Sequence, residues 1–253
     1  MRTVKVKSIE FGRGIPKVAV PMVGRDIEGL RREISEIHKV PFDLVEWRID
    51  FFNSEDPDEL KKAAAVIRSL FPDKPIISTF RTAEEGGEKT IGTTDYLTLN
   101  SELIKSGQVD LVDVELFRGD ETVQSMVQTA HERGVRVIAS NHDFQGTPSL
   151  ETMISRLKKM QTLNADLTKI AVMPKSISDV LTLLKVTEMM KTTVADRPFI
   201  TMSMSKMGMI SRLTGELFGS AVTFGSAART SAPGQIEAVK LAEWLEFFHR
   251  YLS

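Results

Sequence analysis

The 253-residue sequence contains no cysteine, which excludes disulfide bonds, thiolate nucleophiles and cysteine-ligated metal sites. It also lacks any apolar run close to the roughly 20 residues of a membrane-spanning helix. The start, MRTVKVKSIEF, alternates polar and apolar residues and has no apolar secretory stretch. The formal net charge is −1, so no basic excess draws the chain to nucleic acid or an anionic membrane. These absences predict a cytoplasmic protein that binds neither nucleic acid nor membranes.

The composition is that of a globular protein. Hydrophobic residues make up 42% and charged residues 26% of the chain, which is enough apolar material for a sizeable core. No Gly/Ser-rich or Pro-rich linker divides the sequence, and no segment has low complexity. We therefore expect a single domain that covers residues 1–253.

Short β-rich runs alternate with amphipathic helical patterns along the whole chain, and several runs are continuously apolar, as in parallel strands covered by helices. Eight such units predict a (β/α)8 TIM barrel, with a doubly wound open sheet as the alternative. The alternating start predicts an N-terminal β-hairpin that covers the barrel bottom. Strands are predicted at 17–23, 42–50, 75–81, 109–116, 136–144, 167–174, 199–205 and 221–226. Helices, several with an Asp or Ser cap, are predicted at 26–39, 56–71, 121–134, 149–163 and 234–252.

The second predicted strand carries charges on one face. Chemistry in such a barrel gathers at the C-terminal ends of the strands. In EWRID, the side chains of Glu46, Arg48 and Asp50 share a face, because strand residues alternate. Their apolar neighbours suit packing against helices. The charged face is therefore expected in the lumen, where a charge network or a polar ligand must compensate it. A purely structural ion-pair cluster is the alternative.

The next three strands also end in polar groups. Arg81 ends the third strand and precedes TAEEGGE, which supplies Glu85 and a Gly-Gly turn. Asp113 and Glu115 share a face of the fourth strand. Of the four histidines, only His142 in SNHDF lies at a strand end, whereas the others lie in helical patterns. This position favours a functional role for His142, such as proton transfer.

Lys169 interrupts the apolar run LTKIAVMP. Alternation places it with Ala171 and Met173 on the lumen face. A buried amine loses hydration, which disfavours its charged form and can leave a neutral nucleophile able to form an imine with a ketone. Lys175, in a loop or helix start just past the strand, is the competing candidate. The alternative is a non-catalytic Lys169 whose side chain reaches solvent.

The last predicted strands carry candidates for ligand contacts. FITMSMS puts Met202 and Met204 on one face, where they either pack in the core or line an apolar wall over a ligand. Arg212 in ISR, and Ser231 and Gln235 in SAPGQ, follow at the seventh and eighth loops, where barrels often bind phosphate. An arginine here could instead bind a carboxylate through its forked donors.

Six segments, taken together, resemble the type I 3-dehydroquinate dehydratase family: EWRIDFF, TFRTAEEGGE, SNHDF, KIAVMPKS, ITMSMSKMGMISR and TSAPGQI. The likeness runs over nearly the whole chain, in the family's order and spacing. It implies a (β/α)8 barrel and a homodimer. It also implies dehydration of the small molecule 3-dehydroquinate to 3-dehydroshikimate, a step of the shikimate pathway toward aromatic amino acids, with no metal and no organic cofactor.

The resemblance implies a role for each matching residue. Lys169 corresponds to the imine-forming lysine, His142 to the general acid/base and Glu85 to the carboxylate that orients it. Glu85 is expected to favour the charged imidazole, which helps it act as an acid. A class I aldolase acting on a sugar phosphate and a non-catalytic barrel that binds a polyhydroxy acid are the alternatives. The substrate-binding residues implied are Glu46, Arg48, Arg81, Met202, Met204, Arg212, Ser231 and Gln235.

Overall fold

A computed structural model of the chain describes residues 1–227 and 232–252. Nine of its strands form one parallel sheet, and the first two form a separate antiparallel hairpin. The strands are β1 (Val4–Val6), β2 (Ile9–Phe11), β3 (Lys17–Met22), β4 (Leu44–Arg48), β5 (Ile76–Thr79), β6 (Leu111–Glu115), β7 (Arg136–Asp143), β8 (Leu167–Val172), β9 (Phe199–Ser203), β10 (Val222–Ser226) and β11 (Ile236–Glu237).

The sheet curls into a barrel. Each strand from β3 to β9 pairs with the next one in parallel, and β10 pairs with β3. The ring closes between β9 and β10, where Phe199 and Ser220 form a parallel bridge. The backbone N–H of Ala221 also donates to the carbonyl of Phe199 at 2.8 Å. The predicted TIM barrel is therefore confirmed, and each of its eight strands lies within a range predicted from the sequence.

Helices cover the outside of the barrel, and three of them begin at a predicted Asp or Ser cap. At the start of α1, the Asp26 carboxylate accepts from the backbone N–H of Gly29 at 2.7 Å, and Asp56 and Ser149 cap α2 and α5 in the same way. None of the helices in the described ranges is long and apolar enough to cross a membrane. The helices are α1 (Ile27–Ile37), α2 (Pro57–Leu70), α3 (Thr93–Lys105), α4 (Asp120–Glu132), α5 (Leu150–Thr162), α6 (Ile177–Met189), α7 (Ile210–Leu213), α8 (Gly215–Phe218) and α9 (Ala238–Leu252).

The start of the last helix differs from the prediction. The sequence predicts a helix from Gly234, but α9 begins at Ala238. The preceding residues Ile236 and Glu237 form β11, which pairs in parallel with Gly225 and Ser226 of β10. Hydrogen bonds to a neighbouring strand thus override the local helical pattern in this segment. The local sequence pattern does not reveal this pairing.

The N-terminal hairpin closes the bottom of the barrel, as predicted. Val4 lies opposite Phe11 in the hairpin, and both pack with Val6 against apolar side chains that the barrel strands turn inward. This contact removes apolar surface from water and seals the lumen at that end. The inward residues of this layer are Ala19, Leu44, Ile77, Leu111, Ile138, Leu167, Ile200 and Val222.

Toward the C-terminal ends of the strands, the lumen changes from apolar to polar. Because side chains alternate along a strand, the next inward position lies two residues further on. Val45, Trp47 and Ile49 point to the helix layer and pack in the outer core, as predicted for the apolar face of EWRID. The inward positions change from Leu44 to Glu46 in β4, from Leu111 to Asp113 in β6, from Ile138 to Ser140 in β7 and from Leu167 to Lys169 in β8.

Candidate active site

A cavity opens at the C-terminal ends of the barrel strands, and the space between its walls, including the part open to solvent, is about 490 Å³. Ser231, a predicted contact, lies outside the described residues. Sequence reasoning gave no role to five further lining residues, Gly86, Phe144, Ala171, Phe224 and Ala232. The predicted site residues that line the cavity are Glu46, Arg48, Arg81, Glu85, His142, Lys169, Met202, Met204, Arg212 and Gln235.

The amine of Lys169 lies inside the barrel. The residue is 4% exposed, which excludes the solvent-reaching alternative, whereas Lys175 is exposed. Lys169 Nζ donates to Asp113 Oδ2 at 3.1 Å and lies 3.7 Å from Glu46 Oε1. It also lies 4.7 Å from the centre of the Phe224 ring. An amine that attacks a carbonyl needs a free lone pair, so any proton on Nζ must leave before the attack.

Asp113, the carboxylate nearest to Lys169, was predicted to share a face of its strand with Glu115, but the sequence assigned it no role. It is fully buried, and its Oδ1 accepts from Ser140 Oγ at 2.5 Å and from Arg81 Nη2 at 2.7 Å. Burial alone would raise the pKa of Asp113, but the charges of Arg81 and Lys169 outweigh it and hold the pKa at about 2. The carboxylate is therefore ionised throughout the physiological pH range.

The two arginines of the lumen are paired with protein carboxylates. Arg81 Nη1 donates to Glu115 Oε1 at 2.8 Å, in addition to the Nη2 contact with Asp113. Arg48 makes a bidentate pair with Asp50, with Nε–Oδ1 and Nη2–Oδ2 distances of 2.8 and 2.7 Å. Both arginines line the cavity, so they can reach a ligand. These ion pairs also compensate the charges of the buried carboxylates.

His142 is held by Glu85, which follows β5. Glu85 Oε2 lies 3.0 Å from His142 Nδ1 and accepts from the backbone N–H of His142 at 2.8 Å. Asn141 Nδ2 donates to Glu85 Oε1 at 3.1 Å. Arg156 Nη1 in turn donates to the side-chain oxygen Oδ1 of Asn141 at 2.8 Å. Because Nδ1 faces the carboxylate, Nε2 is the ring nitrogen available to a ligand in the cavity.

The surroundings of this pair act against the expected charged imidazole. Burial lowers the pKa of His142 well below its usual value. The positive charges of Arg81, Lys169 and Arg48 act in the same direction. Burial also raises the pKa of Glu85 to about 7, despite the nearby Arg81. These shifts favour the neutral imidazole over the charged form that Glu85 was expected to favour, and a neutral ring can accept a proton.

Arg212 of α7 presents a buried guanidinium to the cavity without an ion pair among the described residues. It is 2% exposed, and burial lowers its pKa to about 10. Nη2 donates to the Pro233 carbonyl at 3.1 Å and Nη1 approaches Met202 Sδ at 3.9 Å, whereas Nε has no partner. A buried positive charge of this kind is costly unless an anion approaches it. Arg212 is therefore suited to hold a carboxylate or phosphate ligand.

One wall of the cavity is apolar. Met202 and Met204 turn into the cavity from β9 and the residue after it, as the alternation predicted, and both are buried. Phe144 and Phe224 contribute aromatic rings to the same lining. Such a wall excludes water from the polar groups opposite and strengthens their electrostatic interactions. Across the described residues, no group of His, Asp or Glu is arranged to hold a metal ion.

Replacing Gly86 with alanine should impair the site more than the fold. Gly86 has φ +83°, and a Cβ there would lie 2.2 Å from the Phe144 ring. The ring or the Glu85 loop must move, and a shift of about 1 Å at a catalytic group can cost ~100-fold in rate. We expect a fall in kcat/KM of that order with the thermal midpoint little changed relative to the matched control. In that control, Gly107→Ala, φ is +69° but no atom lies within 4 Å of the added Cβ. Equal activity of the two variants would contradict the prediction.

Comparisons with known proteins identify the family of this chain. The family model for Type I 3-dehydroquinase matches residues 18–251. The 3-dehydroquinate dehydratase of Syntrophotalea carbinolica is 51% identical over 250 residues, which cover 98% of this chain and 99% of that protein. The one from Clostridium novyi is 50% identical over 253 residues, the whole length of both. The crystal structure of type I 3-dehydroquinate dehydratase from Clostridium difficile with covalent modified comenic acid has a TM-score of 0.96, at 50% identity and 99% coverage of both chains. The chain therefore belongs to the type I 3-dehydroquinase family.

Proposed function

We propose that this chain dehydrates 3-dehydroquinate to 3-dehydroshikimate through an imine on Lys169, with His142 as the proton carrier. The observation that carries the proposal is the buried amine of Lys169 in the same cavity as the imidazole of His142. Relatives about half identical over the full length are 3-dehydroquinate dehydratases, which supports the same substrate here. The reaction belongs to the shikimate pathway.

The cavity offers a partner for each polar part of the substrate. Arg212 binds the carboxylate, since its buried guanidinium makes no ion pair among the described residues. Glu46 and Arg48 bind ring hydroxyls at the opposite wall, and the methionine and phenylalanine side chains cover the carbocycle. The proposed substrate contacts are Glu46, Arg48, Arg81, Met202, Met204, Arg212, Ser231 and Gln235, as the resemblance implies.

Imine formation requires that Lys169 first loses a proton. The neutral imidazole of His142 accepts it, and the free amine then attacks the C3 carbonyl of the substrate. A proton moves from nitrogen to oxygen to give a carbinolamine. His142 returns its proton to the carbinolamine hydroxyl, which leaves as water, and an iminium remains. Atoms and charge balance, because the one proton taken from the ammonium ends in the departing water.

The iminium then allows the elimination. It acidifies the C2 hydrogen, which neutral His142 removes, so that an enamine forms in place of a bare carbanion. The enamine expels the C1 hydroxyl, and the proton on His142 goes to that oxygen, which leaves as water. Water then hydrolyses the conjugated iminium and frees 3-dehydroshikimate and Lys169. Glu85 orients the ring through Nδ1, so Nε2 faces C2 and C1 in turn.

Turnover of 3-dehydroquinate tests the activity. The product has a conjugated enone, which absorbs in the ultraviolet, whereas the substrate does not, so the rate is read directly. A class I aldolase would show no such signal and would cleave a sugar phosphate. A non-catalytic binder would bind the hydroxy acid, seen by calorimetry, without a change in absorbance. The covalent modification in the structure of the Clostridium difficile relative favours the catalytic reading.

Replacing Arg212 with methionine should weaken substrate binding without unfolding the barrel. A charge-assisted hydrogen bond contributes about 1.5 to 3 kcal/mol, so KM should rise by roughly 10- to 150-fold. The free energy of unfolding should fall by less than about 1 kcal/mol, because the lost charge was buried and without an ion pair in the described part of the chain. Steady-state kinetics and urea denaturation measure both quantities.

A second buried arginine provides the matched control for that test. Arg197 is buried, does not line the cavity and pairs with Asp196, with an Nε–Oδ1 distance of 2.6 Å. Arg197→Met should lower stability and leave KM unchanged. An unchanged KM in the Arg212→Met variant would contradict its assignment as the carboxylate site.

We further propose, from the family resemblance, a homodimer with one domain over residues 1–253 that works in the cytoplasm. Sedimentation at several concentrations tests the dimer, since a monomer of 28.2 kDa and its dimer separate clearly. A single cooperative unfolding transition, seen equally by two probes, tests the single domain. Two separate transitions would contradict it.

A further inference from the structure

Two carboxylates approach the amine of Lys169 from different sides. Glu46 Oε1 lies 3.7 Å from Nζ, and Glu46 lines the cavity, where a substrate enters. Asp113 Oδ2 lies closer, at 3.1 Å, yet Asp113 is fully buried and does not line the cavity. A substrate carbon bonded to Nζ therefore lies on the cavity side, whereas Asp113 stays behind the nitrogen and touches no substrate.

Asp113 is fixed in this place by hydrogen bonds from three protein groups. Its Oδ1 accepts from Ser140 Oγ at 2.5 Å and from Arg81 Nη2 at 2.7 Å, so only Oδ2 is directed to Lys169. Its backbone carbonyl accepts from the Tyr96 hydroxyl at 3.3 Å. Burial within such a network leaves the carboxylate little freedom to reorient, so its charge is in place before any intermediate forms.

We infer that Asp113 is the counter-ion of the imine, a positioning residue that keeps the imine nitrogen protonated from its formation to its hydrolysis. The inference rests on the proposed function. A ketone imine withdraws electrons only while its nitrogen carries a proton, and the iminium retains one N–H. With the substrate carbon on the cavity side, that N–H donates to Asp113 Oδ2. Asp113 accepts the hydrogen bond, stays ionised and takes no proton, which fits its pKa of about 2.

The surrounding charges make this counter-ion necessary. The cations oppose a proton on the imine nitrogen, and the neutral imidazole adds no compensating charge. Among the described residues, Asp113 is the nearest opposite charge, and it acts where water cannot screen the interaction. The titratable and charged groups around the nitrogen are Glu46 and Arg48 from β4, Arg81 and Glu85 from the segment after β5, Asp113 and Glu115 from β6, and His142 from β7.

The test is the pH dependence of kcat in the Asp113→Asn variant. Asparagine keeps the shape of the side chain but removes its charge, so the iminium loses its proton more easily. An opposite charge at this distance changes proton affinity by about one to three pH units. The alkaline limb of the kcat profile should therefore move to lower pH by that amount. Ser140→Ala, which frees one oxygen of Asp113, should move it in the same direction by less.

Glu115→Gln is the matched control. Glu115 lies two residues further on the same strand, is equally buried and pairs with the same Arg81 at 2.8 Å, and no hydrogen bond or ion pair joins it to Lys169 in the described structure. Its substitution also removes a buried negative charge beside Arg81, so kcat should fall, but the alkaline limb should stay in place. An equal shift of the alkaline limb in Glu115→Gln and Asp113→Asn would overturn the inference. The shift would then follow from the loss of any buried negative charge near Arg81, not from the contact between Asp113 and the nitrogen.

Borohydride trapping separates failure of this inference from failure of the proposed function. No adduct on Lys169 of the unaltered enzyme would refute the imine itself. Adducts in every variant, together with superimposable pH profiles of Asp113→Asn and the unaltered enzyme, would refute only the counter-ion. If circular dichroism shows that Asp113→Asn does not fold, Ser140→Ala decides: a shifted alkaline limb supports the inference, and an unshifted one overturns it.

Discussion

Replacing Lys169 with alanine is expected to reduce kcat by more than about 10⁴-fold, because loss of a covalent nucleophile removes the imine path altogether. Lys169 is the only lysine among the described residues that line the cavity, so no second amine is in position to replace it. The barrel should remain folded, since Arg81 still pairs with Asp113 at 2.7 Å. The enone absorbance measures the rate, and circular dichroism checks the fold.

The neighbouring Lys175 provides the control for this substitution. It lies three residues past the end of β8 and is exposed, and it does not line the cavity. Lys175→Ala should keep activity within about twofold, as expected for surface substitutions away from a site. Full activity in Lys169→Ala, or a large loss in Lys175→Ala alone, would contradict the assignment of the nucleophile.

Replacing His142 with alanine is expected to lower kcat by about 10²- to 10⁴-fold, the usual contribution of a positioned acid or base. The enzyme should still form the imine, more slowly, because the nucleophile is intact, but it should stall before elimination. Borohydride added with 3-dehydroquinate should therefore trap an adduct on Lys169 in His142→Ala while product forms very slowly. Intact-mass analysis and the enone absorbance measure the two quantities.

A histidine outside the barrel lumen is the control for that result. His131 of α4 contacts Asp166 with an Nε2–Oδ2 distance of 2.8 Å and does not line the cavity. His131→Asn should leave kcat unchanged and affect only stability. Rapid product formation by His142→Ala would remove the imidazole from the mechanism.

Strand alternation accounts for most of what the sequence predicted correctly. A residue and its neighbour two positions on share a face whatever the rest of the fold does. Glu46 and Lys169 therefore fell on the lumen face, and Trp47 on the helix-facing side. The apolar runs indicated parallel strands, because a strand that is covered on both faces is apolar throughout.

The errors arise where distant parts of the chain interact. Asp113 lies 56 residues before Lys169, and nothing in its own strand shows which cation it meets. The charge of His142 was predicted from Glu85 alone, whereas burial and three cations from other segments lower its pKa. The late start of α9 has the same origin, since β11 forms only because β10 lies beside it. Sequence alternation gives the direction of a side chain, but its electrostatic surroundings come from the assembled barrel.

The central claim is that the amine of Lys169 bonds covalently to the substrate. The most direct measurement is reduction with borohydride in the presence of 3-dehydroquinate, followed by intact-mass analysis and peptide mapping. We expect one stoichiometric adduct, located on the peptide that contains Lys169 and absent when either reagent is omitted. An unmodified protein that nevertheless turns over substrate, or an adduct on Lys175 instead, would contradict the account.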